Sequence, residues 1–208
     1  MASTERLETG PPGLHPDPPP DLGSSPLPLK ITSEPWLRGY PAGRDPIYFG
    51  RTGRHRFDAP RGEFGTLYVG QDAHCVFIET FGHRTGELDF VTSEALESRA
   101  LARIEPRRPL RLVDLSGSGL ARLRADARLS SGAISVAQKW ALALFVHPDR
   151  PDGIYYRSRH DPDRFCAAVF DRVGRVLAST ILGSFADPAN ERLLGEILDT
   201  YGIGLIDA

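Results

Sequence analysis

Arginines and carboxylates crowd one short region of this 208-residue chain, from Arg38 to Glu63. Arg51, Arg54, Arg56 and Arg61 share a glycine- and proline-containing stretch with Asp58 and Glu63. Arg38, Tyr40, Arg44 and the run Asp45-Pro46-Ile47-Tyr48-Phe49 come just before it. A guanidinium fork matches the geometry of a phosphate or pyrophosphate, and an aromatic face suits a flat ring. A solvated arginine loop fits the same composition, since exposed ion pairs are weakly stabilising. Glu79 has apolar neighbours in Phe77, Ile78 and Phe81, a setting that favours a functional carboxylate over a plain surface charge. Ser158, His160 and Asp161 have the residue types of a hydrolytic triad, yet adjacent residues on a strand point to opposite faces.

Other chemistries are excluded by what the chain lacks. It has no G-x-G-x-x-G, Walker loop, H-E-x-x-H or G-x-S-x-G. Cys75 and Cys166 are the only cysteines, each inside an apolar run, and read as buried thiols of a reducing compartment. Neither has zinc-finger spacing to another ligand, and His55, His74 and His83 do not form a ligand set, so no metal is expected. The formal net charge of -2 gives no general reason to expect direct nucleic-acid binding. No stretch is apolar enough to span a bilayer and Met1 to Glu8 lacks the order of a secretory signal, so the expectation is a cytoplasmic protein with no membrane partner.

The elements that must position these residues follow from local pattern. Residues 1–30 hold eight prolines among glycines and serines and read as a disordered leader. Residues 31–208 read as a single globular domain. Gly65 to Gly70 is a short β-prone run bounded by glycines, and Asp72 offers an N-cap for a helix over Ala73 to Phe81 that carries Glu79. Strands are expected at Leu101 to Glu105, Leu110 to Leu115, Ile154 to Ser158 and Phe165 to Asp171, the last two flanking an Asp-Pro turn. Helices are expected over Ala133 to Val146 and Asn190 to Tyr201, the latter stopped by Gly202. Irregular alternation of the two favours a mixed α/β or α+β sheet over a doubly wound one.

Several runs together resemble the signatures of the RES-domain family. Arg54-His55-Arg56-Phe57-Asp58-Ala59-Pro60, Gly65-Thr66-Leu67-Tyr68-Val69-Gly70 and Ile78-Glu79-Thr80-Phe81 are similar to its first signature. Gly153-Ile154-Tyr155-Tyr156-Arg157-Ser158-Arg159-His160-Asp161-Pro162 is similar to its second. Asp114-Leu115-Ser116-Gly117 and Gln138-Lys139-Trp140-Ala141 fall between them in the expected order, and the likeness covers most of residues 35–185. The resemblance maps the family's arginines onto Arg38 and Arg56, its tyrosine onto Tyr68, its glutamate onto Glu79 and its serine onto Ser158. Glycine at position 39 departs from the usual residue beside the first arginine and leaves Arg44 as a competitor for that role.

The resemblance implies an ADP-ribosyltransferase-like fold with a central mixed, partly split sheet flanked by helices. It implies NAD as substrate, cleaved at the nicotinamide–ribose bond by a glycohydrolase or phosphorylase acting as a toxin. Glu79 would then stabilise the positive charge that develops on the ribose, as in glycoside cleavage. Arg38 and Arg56 would grip the pyrophosphate, Tyr68 would stack on a ring, and Ser158 would hydrogen-bond the carboxamide or a phosphate. Tyr68 is also explained as a core residue, and Ser158 as a strand-end serine bonded to backbone. The implied partner is an Xre-like helix-turn-helix antitoxin, with a homodimer as one arrangement inside the complex. Mono-ADP-ribosylation of a cellular protein and a catalytically silent binding module are the two competing functions.

Overall fold

The computed structural model describes residues 15–82 and 90–207. His83 and the first part of the leader, 1–14, lie outside the described residues. The chain enters the main sheet through β1 (Leu29–Thr32), β2 (Trp36–Pro41) and β3 (Thr66–Gly70). The next element, α1 (Ala73–Phe81), starts where expected, because the Asp72 carboxylate accepts from the Cys75 N–H at 2.8 Å and satisfies an open first-turn donor. Next come β4 (Phe90–Thr92), α2 (Ser93–Glu97), β5 (Arg99–Pro106) and β6 (Leu110–Leu115). Three helices follow, α3 (Gly117–Arg122), α4 (Arg128–Ser131) and α5 (Ile134–Phe145). The rest is β7 (Gly153–Arg157), β8 (Phe165–Phe170), β9 (Leu177–Ser184), α6 (Glu191–Tyr201) and β10 (Gly204–Ile206). Gly202 ends α6 with a φ of 65°, the left-handed turn that glycine adopts without strain.

Eight strands form one mixed sheet in the order β1-β6-β7-β8-β3-β2-β5-β9. Only β6 and β7 run parallel in it, and α3 to α5 make the crossover that a parallel pair needs. β4 and β10 pair separately. The fold is therefore mixed α/β, with helices flanking one large sheet. One face is covered by α5, where Trp140 and Leu144 pack with Phe57, Phe64, Tyr156 and Phe170. Beside it, α1 and α6 enclose Phe77, Phe185 and Ile197. The opposite face buries Trp36, Tyr40, Leu67, Val69 and Tyr155. The Trp36 and Tyr155 rings lie 6.1 Å apart although β8 and β3 separate their strands, so the two side chains meet over those strands on this face. Among the described residues no helix is long and apolar enough to cross a membrane.

The packed chain begins earlier than residue 31. From His15 onward the leader is docked, which corrects the expectation of a free tail to residue 30. The Trp140 indole N–H donates to the Pro16 carbonyl at 3.0 Å, and Lys139 pairs with Asp17 at 2.7 Å. Leu22 and Leu27 are buried in the core under α5, and His147 Nε2 lies 3.2 Å from the carbonyls of Leu22 and Ser25. Prolines remove donors but leave carbonyls free, and α5 with its following turn supplies side chains to meet them.

Two glycines test this packing. A Cβ at Gly153 would meet the Ala168 carbonyl oxygen at 2.5 Å, whereas at Gly195, within α6, it would meet nothing within 4 Å. Gly153→Ala is expected to lose about 1–3 kcal/mol in urea unfolding. Gly195→Ala is expected to gain about 0.5–1 kcal/mol, because alanine favours the helix.

Asp152 gives a pH dependence. Burial alone would raise its carboxyl, but the Arg108 fork at 2.7 and 2.9 Å and the Arg111 N–H at 2.8 Å hold it below the usual range. A depressed pKa contributes stability above the unfolded value and loses it as pH falls through the folded one. The stability gap between wild type and Asp152→Asn is therefore expected to be full at neutral pH and to shrink from about pH 4 downward. Denaturant midpoints at a series of pH values check it.

Candidate active site

The turn that carries Arg56 is built around one buried carboxylate. Asp58, 1% exposed, accepts from the Arg54 and His55 N–H groups and the Thr52 hydroxyl, each at 3.1 Å, through Oδ2. Its Oδ1 accepts from the Tyr68 hydroxyl at 3.0 Å, and the Phe57 N–H donates to that hydroxyl at 2.9 Å. From α5, the buried Gln138 amide donates to the carbonyls of Gly53 (2.7 Å) and His55 (3.1 Å). Four donors on a buried carboxylate satisfy it fully, so the turn is held from beneath although Thr52, Arg54 and His55 are exposed. Tyr68 is thus an anchor through its hydroxyl, and burial pushes that hydroxyl well above its ordinary pKa. Arg56 leaves this turn with its Nη1 donating to the Gly132 carbonyl at 2.7 Å.

Glu79 reaches the same place from the last turn of α1. The Ser158 hydroxyl donates to Glu79 Oε1 at 2.5 Å, and the Arg159 N–H donates to the same oxygen at 3.3 Å. Ser158, 2% exposed, in turn accepts from the N–H groups of His160 (3.2 Å) and Asp161 (3.1 Å). A hydroxyl filled with two donors has its own proton directed, and here it points at the carboxylate. Glu79 is only half-buried, and among the described residues nothing donates to its Oε2. Arg56 is close enough to feel this group. Burial lowers its pKa first and the Arg159 charge second, while Tyr156, Glu79 and Tyr68 act the other way. Two guanidiniums, Arg56 and Arg159, thus lie near Glu79, with the Asp58 carboxylate bonded to Tyr68 beside them.

The structure therefore brings together Glu79, Ser158, Arg56 and Tyr68, from α1, the end of β7, a loop and β3. Arg38 is not among them. Position 39 on β2 faces α1, since a Cβ on Gly39 would meet Val76 and Thr80, so Arg38 lies on the opposite face with Trp36 and Tyr40. Its Nη1 donates to the Tyr48 carbonyl at 3.0 Å, and burial lowers its pKa to about 10. Arg44 is exposed in the next turn and does not join the cluster either. Sequence reasoning missed Arg159, an exposed cation adjacent to the serine. Its signal was only its place beside Ser158. It also missed Asp58 as the hub of the turn, which the buried Phe-Asp-Ala run hints at.

The two cysteines, far apart in sequence, meet behind the site. Their sulfurs lie 3.3 Å apart as free buried thiols, and the Cys75 thiol together with burial pushes Cys166 well up. Among the described residues no group of three or more His, Cys, Asp or Glu is arranged to hold a metal ion. A cavity of about 300 Å³ lined by Lys30, Trp36, Gln71 and Tyr155 lies on the face of Trp36 and Tyr155, and Glu79 does not line it.

The family model described as the RES domain matches residues 34–186, and the chain belongs to that family. It is similar to "Probable toxin y4kH" of Sinorhizobium fredii, with 30% identity over 112 residues, 53% of this chain and 86% of that protein. The fold is shared with the crystal structure of the M. tuberculosis MbcT–MbcA toxin–antitoxin complex at a TM-score of 0.57 and 19% identity. That match covers 78% of this chain and 90% of the other.

The anchoring role of Asp58 is testable by stability. Asp58→Asn places an amide donor among four donors and is expected to cost about 2–3 kcal/mol in urea unfolding, whereas Tyr68→Phe removes one hydroxyl and costs about 1 kcal/mol. Equal losses would contradict the hub.

Proposed function

We propose that this protein is a cytoplasmic, NAD-consuming toxin that cleaves the nicotinamide–ribose bond and is neutralised by an antitoxin. The observation that carries this reading is the state of Glu79: half-buried near Arg56, with one oxygen held by Ser158 and Arg159 and, among the described residues, no donor on the other. As the C1′–N bond breaks, its electron pair leaves with neutral nicotinamide and positive charge develops on the ribose. A pre-positioned carboxylate stabilises that charge without reorganising. Arg56 and Arg159 supply the grip on the pyrophosphate that keeps NAD in register. Water or inorganic phosphate then bonds to C1′ and releases a proton, giving ADP-ribose or its 1-phosphate.

Similarity to a probable toxin and to one member of a toxin–antitoxin complex supports the toxin reading and an antitoxin partner. We take that partner to be a helix-turn-helix protein of Xre type, so that any DNA contact belongs to the complex. Residues 31–208 with the docked part of the leader act as one unit in this reading, and no metal enters the reaction.

Purified protein is expected to release nicotinamide from NAD, with product analysis in phosphate and phosphate-free buffer identifying the acceptor. Glu79→Gln is expected to lower turnover by roughly 10²–10³-fold. Arg56→Ala is expected to weaken turnover mainly through KM. Intact NAD in both buffers would sink the reading. Transfer of label from NAD to a macromolecule, with little free ADP-ribose, would replace it by protein ADP-ribosylation.

A further inference from the structure

The contact between Ser158 and Glu79 joins two segments that have no covalent reason to stay in register. One is α1, whose start is set by the Asp72 cap. The other is the turn from Ser158 to Arg164, closed by the Ser158 N–H on the Arg164 carbonyl at 2.9 Å and the Arg164 N–H on the Asp161 carbonyl at 3.0 Å. The Arg164 side chain connects them. Its Nε donates to Asp161 Oδ2 at 2.9 Å, and its Nη1 makes a short ion pair with Asp72 Oδ2. Asp161 is the residue whose N–H donates to Ser158 Oγ, and Asp72 is the cap of the helix bearing Glu79. The Tyr201 hydroxyl, at the end of α6, donates to the same Asp161 oxygen at 2.8 Å.

The guanidinium is 23% exposed, the Asp161 carboxylate 19% and the Asp72 carboxylate 36%, so solvent screens the Asp161 arm less than an open surface pair, and the Asp72 arm more than the Asp161 arm. A planar fork holds two carboxylates at a set separation and angle, which a flexible ammonium does not. We propose that Arg164 is a positioning residue. By bridging Asp72 and Asp161, with Tyr201 as a third tie, it sets the register of Glu79 against Ser158. The proposal deepens the reading above and rests on Glu79 and Ser158 being the reacting pair.

The test uses the full chain and three variants, Arg164→Gln, Arg164→Lys and Tyr201→Phe. Two readouts are taken: NAD turnover resolved into kcat and KM, and amide hydrogen exchange at His160 and Asp161, whose N–H groups point at Ser158. A small misplacement at a reacting centre costs up to about 100-fold in rate. Arg164→Gln is expected to lower kcat by about 10- to 100-fold with KM within twofold, and to raise exchange at both amides about tenfold, while α5 amides stay unchanged. Arg164→Lys keeps the charge without the fork and is expected to restore only part of kcat. Tyr201→Phe is expected to shift both readouts in the same direction by less, and it guards against loss of folding in the arginine variants. Faster exchange with unchanged kcat would reduce Arg164 to a structural staple and overturn the proposal. Lower kcat with unchanged exchange would overturn it too. If wild type leaves NAD intact, the functional reading falls, and the exchange result alone decides whether Arg164 holds the turn.

Discussion

Helix α1 lies directly on β2 and β3, and the site depends on that close approach. A Cβ on Gly39 would meet Val76 Cγ1 at 2.9 Å and Thr80 Oγ1 at 3.0 Å. One on Gly70 would meet Cys75 Sγ at 3.0 Å and Val76 Cγ2 at 3.1 Å. With side chains at both crossing points the helix would stand off the sheet, since packed interiors leave no slack for added atoms. Held down as it is, α1 brings Cys75 to Cys166 at its first turn and Glu79 to Ser158 at its last. Both contacts follow from one seating.

Around that seat the carboxylates divide by how completely they are bonded. Asp58 accepts four hydrogen bonds inside a turn, and Asp72 and Asp161 share Arg164 while each also accepts a backbone N–H. Those groups hold backbone in place and have little capacity left for a ligand. Glu79 keeps one oxygen without a donor among the described residues, near the guanidiniums of Arg56 and Arg159. A fixed carboxylate in a partly desolvated site acts on a developing positive charge far more strongly than the same group in water. The division separates fully bonded carboxylates from a partly open one within a few residues of sequence.

The two faces of the sheet have separate tasks. The face away from α5 is filled by Trp36, Tyr40, Leu67, Val69 and Tyr155 and takes Arg38 with it, whereas the face under α5 and α1 carries the cluster. Alternation along a strand makes this assignment strict, because one residue of shift moves a side chain through the sheet. The docked leader belongs to the second face as well. His15 and Pro16 lie against Trp140, on the helix whose Gln138 holds the Arg56 turn. Packing of the leader therefore bears on the same helix that supports the site.

Local pattern by itself determined the elements with strong punctuation. β3 between glycines, α1 behind its Asp72 cap, β6, α5, β7, β8 and α6 before Gly202 fall within a residue or two of where the sequence puts them. Caps, glycine stops and apolar periodicity act over a few neighbours and need no tertiary information. β1, β2 and β9 were not legible, because β2 contains Gly39 and Pro41, β9 is largely exposed, and β1 follows a proline-rich run that reads as free chain. The residue types of the site were legible too, as Arg56, Tyr68, Glu79 and Ser158 stand in runs that resemble a family pattern. Which of them meet was decided only by the folded chain. Strand parity sent Arg38 to the far face, the turn after β7 brought in Arg159, and pairing across the sheet joined Glu79 to a serine 79 positions away. Such contacts depend on which strands neighbour one another and on which face each residue points to, and neither is written in the residues adjacent to them.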